Sequence, residues 1–237
     1  MKTLKDVIAH MLSVQRTRFV GFGSSNTERR VPGMHWLDCL ELGILYKYGS
    51  IQHLCINSGR GGHSTFDLLA RFDEDVKLFK PHVVFITVGG NDSNPAKNMD
   101  AETYRANLLE IISRTREIGA FPILQTYYAV QEEDLSTEHL DKFYHFMDIV
   151  RELAKSTDSY LIDHLRRWML LRKNHLEIYN SLMQNAFHVN SKGNMLMGVD
   201  IQRHFNILPD VFPEKEVWQE AWDLQKLMDS YDYPEPI

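Results

Sequence analysis

The run His82-Val83-Val84-Phe85-Ile86-Thr87-Val88 is the feature that most narrows what this chain can fold into. It is short, rich in β-branched and aromatic residues and almost uninterrupted by polar ones. That pattern predicts a strand covered on both faces, which is the situation of a central strand in a parallel sheet. The rest of the chain alternates around it. A helical spacing over Leu4 to Val14 leads into a β-prone run from Arg18 to Phe22. A helical stretch from Trp36 to Lys47 leads into a strand from Gln52 to Asn57, and a helix from Thr65 to Leu78 leads into the central strand. Beyond it the pattern predicts a helix over Ala101 to Ile118, a strand over Phe121 to Tyr127, a helix over Thr137 to Lys155 and a strand over Tyr160 to Asp163. Alternation at this interval implies parallel pairing, right-handed crossovers and helices on both faces. The expected fold class is α/β: a flavodoxin-like three-layer α/β/α sandwich with a central parallel sheet of about five strands.

No repeat, low-complexity tract or linker divides residues 1–237, and a chain of this length buries one continuous core, so a single domain is expected. Past Asp163 the expectation is helical turns, a loop from Asn185 to Ser191 and a helix from Lys192 to Phe205. A last amphipathic helix from Pro213 to Ser230 should pack on the domain, with a frayed tail from Tyr231 to Ile237. A net charge of -6 argues against a surface that tracks nucleic-acid phosphates, and the Arg166, Arg167, Arg172, Lys173 run reads as a solvated helix face. Charged residues interrupt the first eighteen positions and no apolar run approaches the ~20 residues that span a bilayer, so a cytoplasmic chain with no integral membrane association is expected. Cys39 and Cys55 read as reduced, buried thiols. No Cys/His grouping has zinc spacing, and neither a metal nor a cofactor is expected.

In an open parallel sheet ligands bind outside the carboxyl ends of the strands. The chemistry-bearing residues follow strands: Ser24-Ser25-Asn26 after the first, Ser58-Gly59-Arg60-Gly61-Gly62 after the second, and Gly89-Gly90-Asn91-Asp92 after the third. His188 lies in a late loop before a helix. A hydroxyl, glycine-rich turns with amide donors, a carboxamide and an imidazole are the parts that acyl transfer through an oxyanion requires.

Four blocks in order resemble those of the SGNH/GDSL hydrolases. They are Gly23-Ser24-Ser25-Asn26-Thr27-Glu28, then Asn57 to Thr65, then Gly89-Gly90-Asn91-Asp92, then Asn185-Ala186-Phe187-His188-Val189-Asn190. The resemblance implies a serine esterase with Ser25 as nucleophile and His188 as its base. It further implies an oxyanion hole made by the amides of Ser25 and Gly59 and the side chain of Asn91. His63 is a candidate for the substrate pocket. The substrate implied is a small-molecule ester with a short acyl chain, such as a carbohydrate acetate or a lysophospholipid. The Asp67 to Phe72 segment resembles bacterial sugar-ester hydrolases more than plant lipases. A homo-oligomer remains open.

Three positions depart from the family pattern: Ser24 stands for Asp, Val189 for Pro, and Asn185 for the carboxylate that orients and stabilises the histidine. The last matters most, because an amide supplies no negative charge to an imidazolium. Either Ser25 and His188 act as a dyad or the acid lies elsewhere, Asp163 being one candidate, though a helix cap is the plainer reading of that residue. Two other functions stay open. A non-catalytic SGNH-like binding domain would bind a ligand without turnover. An oxidoreductase would use Gly21-Phe22-Gly23 as a dinucleotide fingerprint, but its third glycine falls at Asn26.

Overall fold

The computed structural model describes residues 3–13, 16–49 and 53–232. Helix α1 (Leu4–Leu12) precedes β1 (Thr17–Gly23), and α2 (Trp36–Tyr48) leads to β2 (His53–Gly59). Then come α3 (Thr65–Asp75), β3 (Val83–Thr87), α4 (Ala101–Glu117), β4 (Phe121–Gln125), α5 (Thr137–Ser156) and β5 (Tyr160–Ile162). The five strands pair in parallel in the order β2-β1-β3-β4-β5, the flavodoxin-like order. The expected α/β fold class is the observed one. The central run is β3, buried at every position, while β2 is an edge strand whose residues are mostly half-exposed.

This order explains the layers. From β1 the chain steps to one side through α2, then returns past β1 and steps to the other side through α3, α4 and α5. Right-handed crossovers therefore put α2 on one face and the other three on the opposite face. The packing agrees: α3 lies on α4 and α4 on α5, whereas α2 lies on α8 (Ser191–His204) and α8 on α9 (Lys215–Asp229). Trp36 of α2 meets Phe85 of β3 at 5.6 Å between ring centroids, and Phe205 packs edge-on to Phe19 of β1 at 5.9 Å. All four rings are fully buried, each contributing ~1.5–3 kcal/mol of transfer free energy.

Several helices start where a side chain caps them. Asp100, Ser136, Asp163 and Asn190 accept from the amides of Thr103, His139, Arg166 and Lys192 respectively. Arg167, expected on a solvated helix face, is instead buried against Asp200 and Asp229, and the secondary structure departs from expectation in three places. The helix expected to reach Leu78 ends at Asp75 and gives way to a short 3-10 turn, Lys77–Phe79. β4 ends at Gln125, so Tyr127 and Tyr128 lie beyond the strand. After α6 (His164–Asn174) and α7 (Leu176–Ser181) the chain forms a small antiparallel hairpin, β6 (Met183–Asn185) and β7 (His188–Val189), where a loop was expected. Val14, Gln52 and residues 233–237 of the expected tail lie outside the described residues. Among those described, no helix is long and apolar enough to cross a membrane.

Candidate active site

The sheet order reverses beside β1, and the turns after β1 and β3 therefore diverge to leave a crevice at their carboxyl ends. Ser25 sits in the turn after β1. That turn is tight because Gly23 carries no side chain: a Cβ there would lie 2.4 Å from the Thr87 carbonyl oxygen and 2.3 Å from Thr27 Oγ1. Its far side is fixed by the Asn26 carbonyl, which accepts from Trp36 Nε1 at 3.0 Å and lies 3.3 Å from His35 Nε2. Arg71 of α3, almost fully buried, holds the near side, donating to the carbonyls of Gly23 at 2.7 Å and Ser58 at 2.8 Å and to Asp75 at 2.6 Å.

The β6–β7 hairpin brings His188 to this turn, with Nε2 2.7 Å from Ser25 Oγ. Asn185, at the end of β6, places Oδ1 2.8 Å from His188 Nδ1. The Phe187 amide donates to that same Oδ1 at 3.2 Å, and since an N–H cannot donate to the Nδ2 amine, this contact fixes which end of the carboxamide faces the ring. Nδ1 therefore carries the hydrogen and Nε2 the lone pair. The opposite side of the ring gives the same answer independently: Arg30 Nη1 lies 2.8 Å from His188 Nε2, and a guanidinium can only donate. Burial, and then the Arg30 charge, hold the His188 pKa down to about 4, against a smaller upward pull from Glu28. The imidazole is neutral at neutral pH, in the tautomer a general base needs.

Asn91, in the turn after β3, donates through Nδ2 to the His63 carbonyl at 2.8 Å; its second amide hydrogen remains for a ligand. A cavity of about 120 Å³ opens beside Ser25, with Asn91, Asn94, Tyr127, His139, Phe187 and His188 in its walls. Among the described residues no group of three or more His, Cys, Asp or Glu is arranged to hold a metal ion.

Ser25, His188, Asn185 and Asn91 are thus brought together. Two other sequence candidates are placed differently. The Gly59 amide is taken up by Asn57 Oδ1 at 2.9 Å, while Asn57 Nδ2 donates to the Thr27 carbonyl at 2.7 Å. Gly59 answers a need for space, since a Cβ would lie 2.1 Å from the Glu28 nitrogen. Further round the same turn, Gly62 has φ +79° and an amide with no acceptor among the described residues. His63 is absent from the walls of the Ser25 cavity, and its Nδ1 accepts from Arg71 Nε at 3.1 Å. Asp163 caps α6 and is bound to Arg151 at 2.8 Å, which holds its carboxyl below the ordinary range despite burial.

The sequence reading missed Arg30, Tyr127, Tyr128 and Phe187. Tyr128 is a tie between the two halves of the site. Its hydroxyl lies 2.6 Å from both Asn26 Oδ1 and the Phe187 carbonyl and accepts from the Val189 amide at 3.1 Å. Tyr127 meets Ser24 Oγ at 3.0 Å. The consecutive tyrosines just past a strand end were the available signal.

The model of the GDSL-like Lipase/Acylhydrolase family matches residues 21–196. The chain is similar to an uncharacterized lipoprotein of Bacillus subtilis (strain 168), 28% identical over 181 residues that cover 63% of this chain and 71% of that protein. It is 28% identical over 118 residues to an acetylxylan esterase of Geobacillus stearothermophilus, covering 46% of this chain and about half of that one, 52%. A solved structure of that organism's acetylxylan esterase superposes with a TM-score of 0.70 at 20% identity over 82% of this chain and 97% of the other. Another acetyl xylan esterase gives 0.69 at 24% identity over 78% and 97%.

Proposed function

The chain belongs to the GDSL-like Lipase/Acylhydrolase family and is a carboxylic ester hydrolase; from that premise we propose that Ser25 and His188 carry out the hydrolysis of short-chain acyl esters, with acetyl esters of carbohydrates as the favoured class. The observation that carries this reading is the 2.7 Å contact between Ser25 Oγ and the unprotonated Nε2 of His188. Ser25 Oγ attacks the ester carbonyl as its proton passes to Nε2, and the carbonyl π pair moves onto oxygen. The oxyanion is met by the Ser25 amide, the second hydrogen of Asn91 Nδ2 and the Gly62 amide, which replaces Gly59 in this role. Collapse breaks the bond to the leaving alcohol, which takes the proton from Nε2, and water releases the acyl group by the same steps in reverse.

Asn185 serves this scheme better than its identity suggests. Acid-to-amide replacement in the serine-protease template costs ~10⁴ in turnover, through the wrong imidazole tautomer. Here the Phe187 amide turns Oδ1 toward Nδ1, so the tautomer is kept and only the negative charge is lacking. In the Geobacillus stearothermophilus acetylxylan esterase, variants called catalytic replace a serine, a histidine and an aspartate three positions before that histidine. Asn185 and His188 have that spacing. The acyl preference rests on the size of the cavity, and the carbohydrate preference on the similarity to acetylxylan esterases.

The test is hydrolysis of p-nitrophenyl acetate, butyrate and octanoate by the chain and by Ser25→Ala. The expected result is a rate that falls with acyl length and, in the variant, drops by at least ~10³. Turnover that survives the alanine would refute the nucleophile. Ligand binding without turnover of any ester would leave the site as a binding module.

A further inference from the structure

The lone pair that must receive the Ser25 proton is shared in this structure. Arg30 Nη1 donates into His188 Nε2 at 2.8 Å, while Ser25 Oγ approaches the same atom at 2.7 Å. Protonation of Nε2 removes the acceptor for Arg30 and sets an imidazolium against a permanent guanidinium at contact distance, with Asn185 offering no counter-charge behind it. The arrangement seen here therefore suits neither proton uptake nor storage. Arg30 has to leave Nε2 before the serine is activated.

The place Arg30 occupies is informative. Nε2 returns its proton to the leaving oxygen, so the group on the open side of Nε2 stands where the alcohol half of the ester has to lie. Arg30 shares a recess there with Glu28, Val31, His35 and Gln184, apart from the cavity on the Asn91 side that suits the acyl group. The Arg30 side chain is 39% exposed, and among the described residues its one other charged partner is Glu28 at 3.6 Å, longer than a hydrogen bond. It extends from residues 29–35, which form no helix or strand. Such a side chain swings at little cost, and its planar fork of donors pairs with adjacent acceptor oxygens.

We propose that Arg30 is a leaving-group sensor: it rests on His188 Nε2 and transfers to acceptor oxygens next to the ester on a polyhydroxylated alcohol, freeing Nε2 for the Ser25 proton. This rests on the Ser25–His188 reading. Arg30 neither gains nor loses a proton in the cycle. The charged and titratable groups around His188 are Arg30 and Glu28 beside it, His35 in the recess, and His139 and the buried Tyr127 phenol across the acyl cavity.

The experiment compares the chain with Arg30→Ala on two acetates: p-nitrophenyl acetate, whose leaving group has no hydroxyl beside the ester, and a monoacetylated methyl glycoside with free neighbouring hydroxyls. The expected result is a kcat/KM that falls about tenfold or more on the glycoside, the usual cost of losing a charged hydrogen-bond partner. On p-nitrophenyl acetate it rises, and the acid limb of the pH profile moves up toward the ordinary histidine value. An unchanged ratio between the two substrates, or an unmoved acid limb, overturns the proposal. Ser25→Ala assayed beside it keeps the outcomes distinct: activity that survives that variant sinks the Ser25–His188 reading, whatever Arg30 does.

Discussion

Asn185 shows how far a single side chain can be judged from its identity. As a letter in the sequence it reads as a lost carboxylate, with the full penalty of the protease precedent. In place, its orientation is set by a backbone amide two residues on, a fact no residue type discloses. The consequence is a specific expectation for Asn185→Asp: kcat should rise by about tenfold, well short of the ~10⁴ that separates acid from amide where the tautomer is also lost. A carboxylate at Nδ1 should also raise the His188 pKa from about 4, so the acid limb of kcat/KM should move up with it, since the base works only when neutral. A pH–rate profile of both proteins reads the two effects together. No rise in kcat would mean that charge behind His188 is not limiting. That Ser25, His188 and Asn91 lie together was legible, because acyl transfer demands those groups near one another at the sheet edge. Arg30 was not, because an arginine in an irregular stretch carries no pattern; only proximity gives it meaning. Gly59 was misassigned for a related reason. Several glycines share one turn, and which amide is free depends on where Asn57 turns its side chain.

At the scale of elements, the long apolar periodicities were readable and the short pieces were not. β3 and the amphipathic helices announced themselves because burial on a face imposes a period. The β6–β7 hairpin did not: strands of three and two residues are too short to show alternation, and they are held by tertiary contacts. One of these is Tyr128, beside the Gln131 amide on the Ala186 carbonyl and the Phe143 ring on Phe187. Tyr128→Phe should leave the Val189 amide without its acceptor and Asn26 and Phe187 without their shared donor, a loss of ~1–3 kcal/mol in stability. Turnover should fall as well, because the hairpin that carries His188 loses its tie to the nucleophile turn. A thermal melt and kcat on the same preparation check this. A lower Tm with kcat intact would show that the tie supports the fold without placing the base.

The molecule as a whole keeps several buried and half-buried histidines neutral. Burial foremost lowers His35 and His164 to about 4, and His82 and His204 to about the same value. Unfolded, each returns to ~6.5. Between those values the unfolded chain binds more protons than the folded one, so stability should be flat above pH ~6.5 and fall as pH drops toward 4. Denaturant midpoints measured across that interval check it, and His164→Gln should reduce the slope. A stability that holds constant from pH 6.5 to 4 would contradict neutral burial. The strand order followed from the flavodoxin-like expectation and not from the periodicity itself, since alternation fixes parallel pairing but leaves the neighbours of each strand open.

Ser25 and His188 stand 163 positions apart, and between them lie four of the five strands of the sheet. A contact of that separation closes only after the intervening crossovers have formed, because the entropy of so long a loop is recovered by nothing local. Synthesis runs from the amino terminus, so the turn that carries Ser25 can be finished on a nascent chain that has no His188. On the proposed Ser25–His188 chemistry, hydrolytic activity is a late event of folding, and its appearance on refolding should trail the recovery of helical structure.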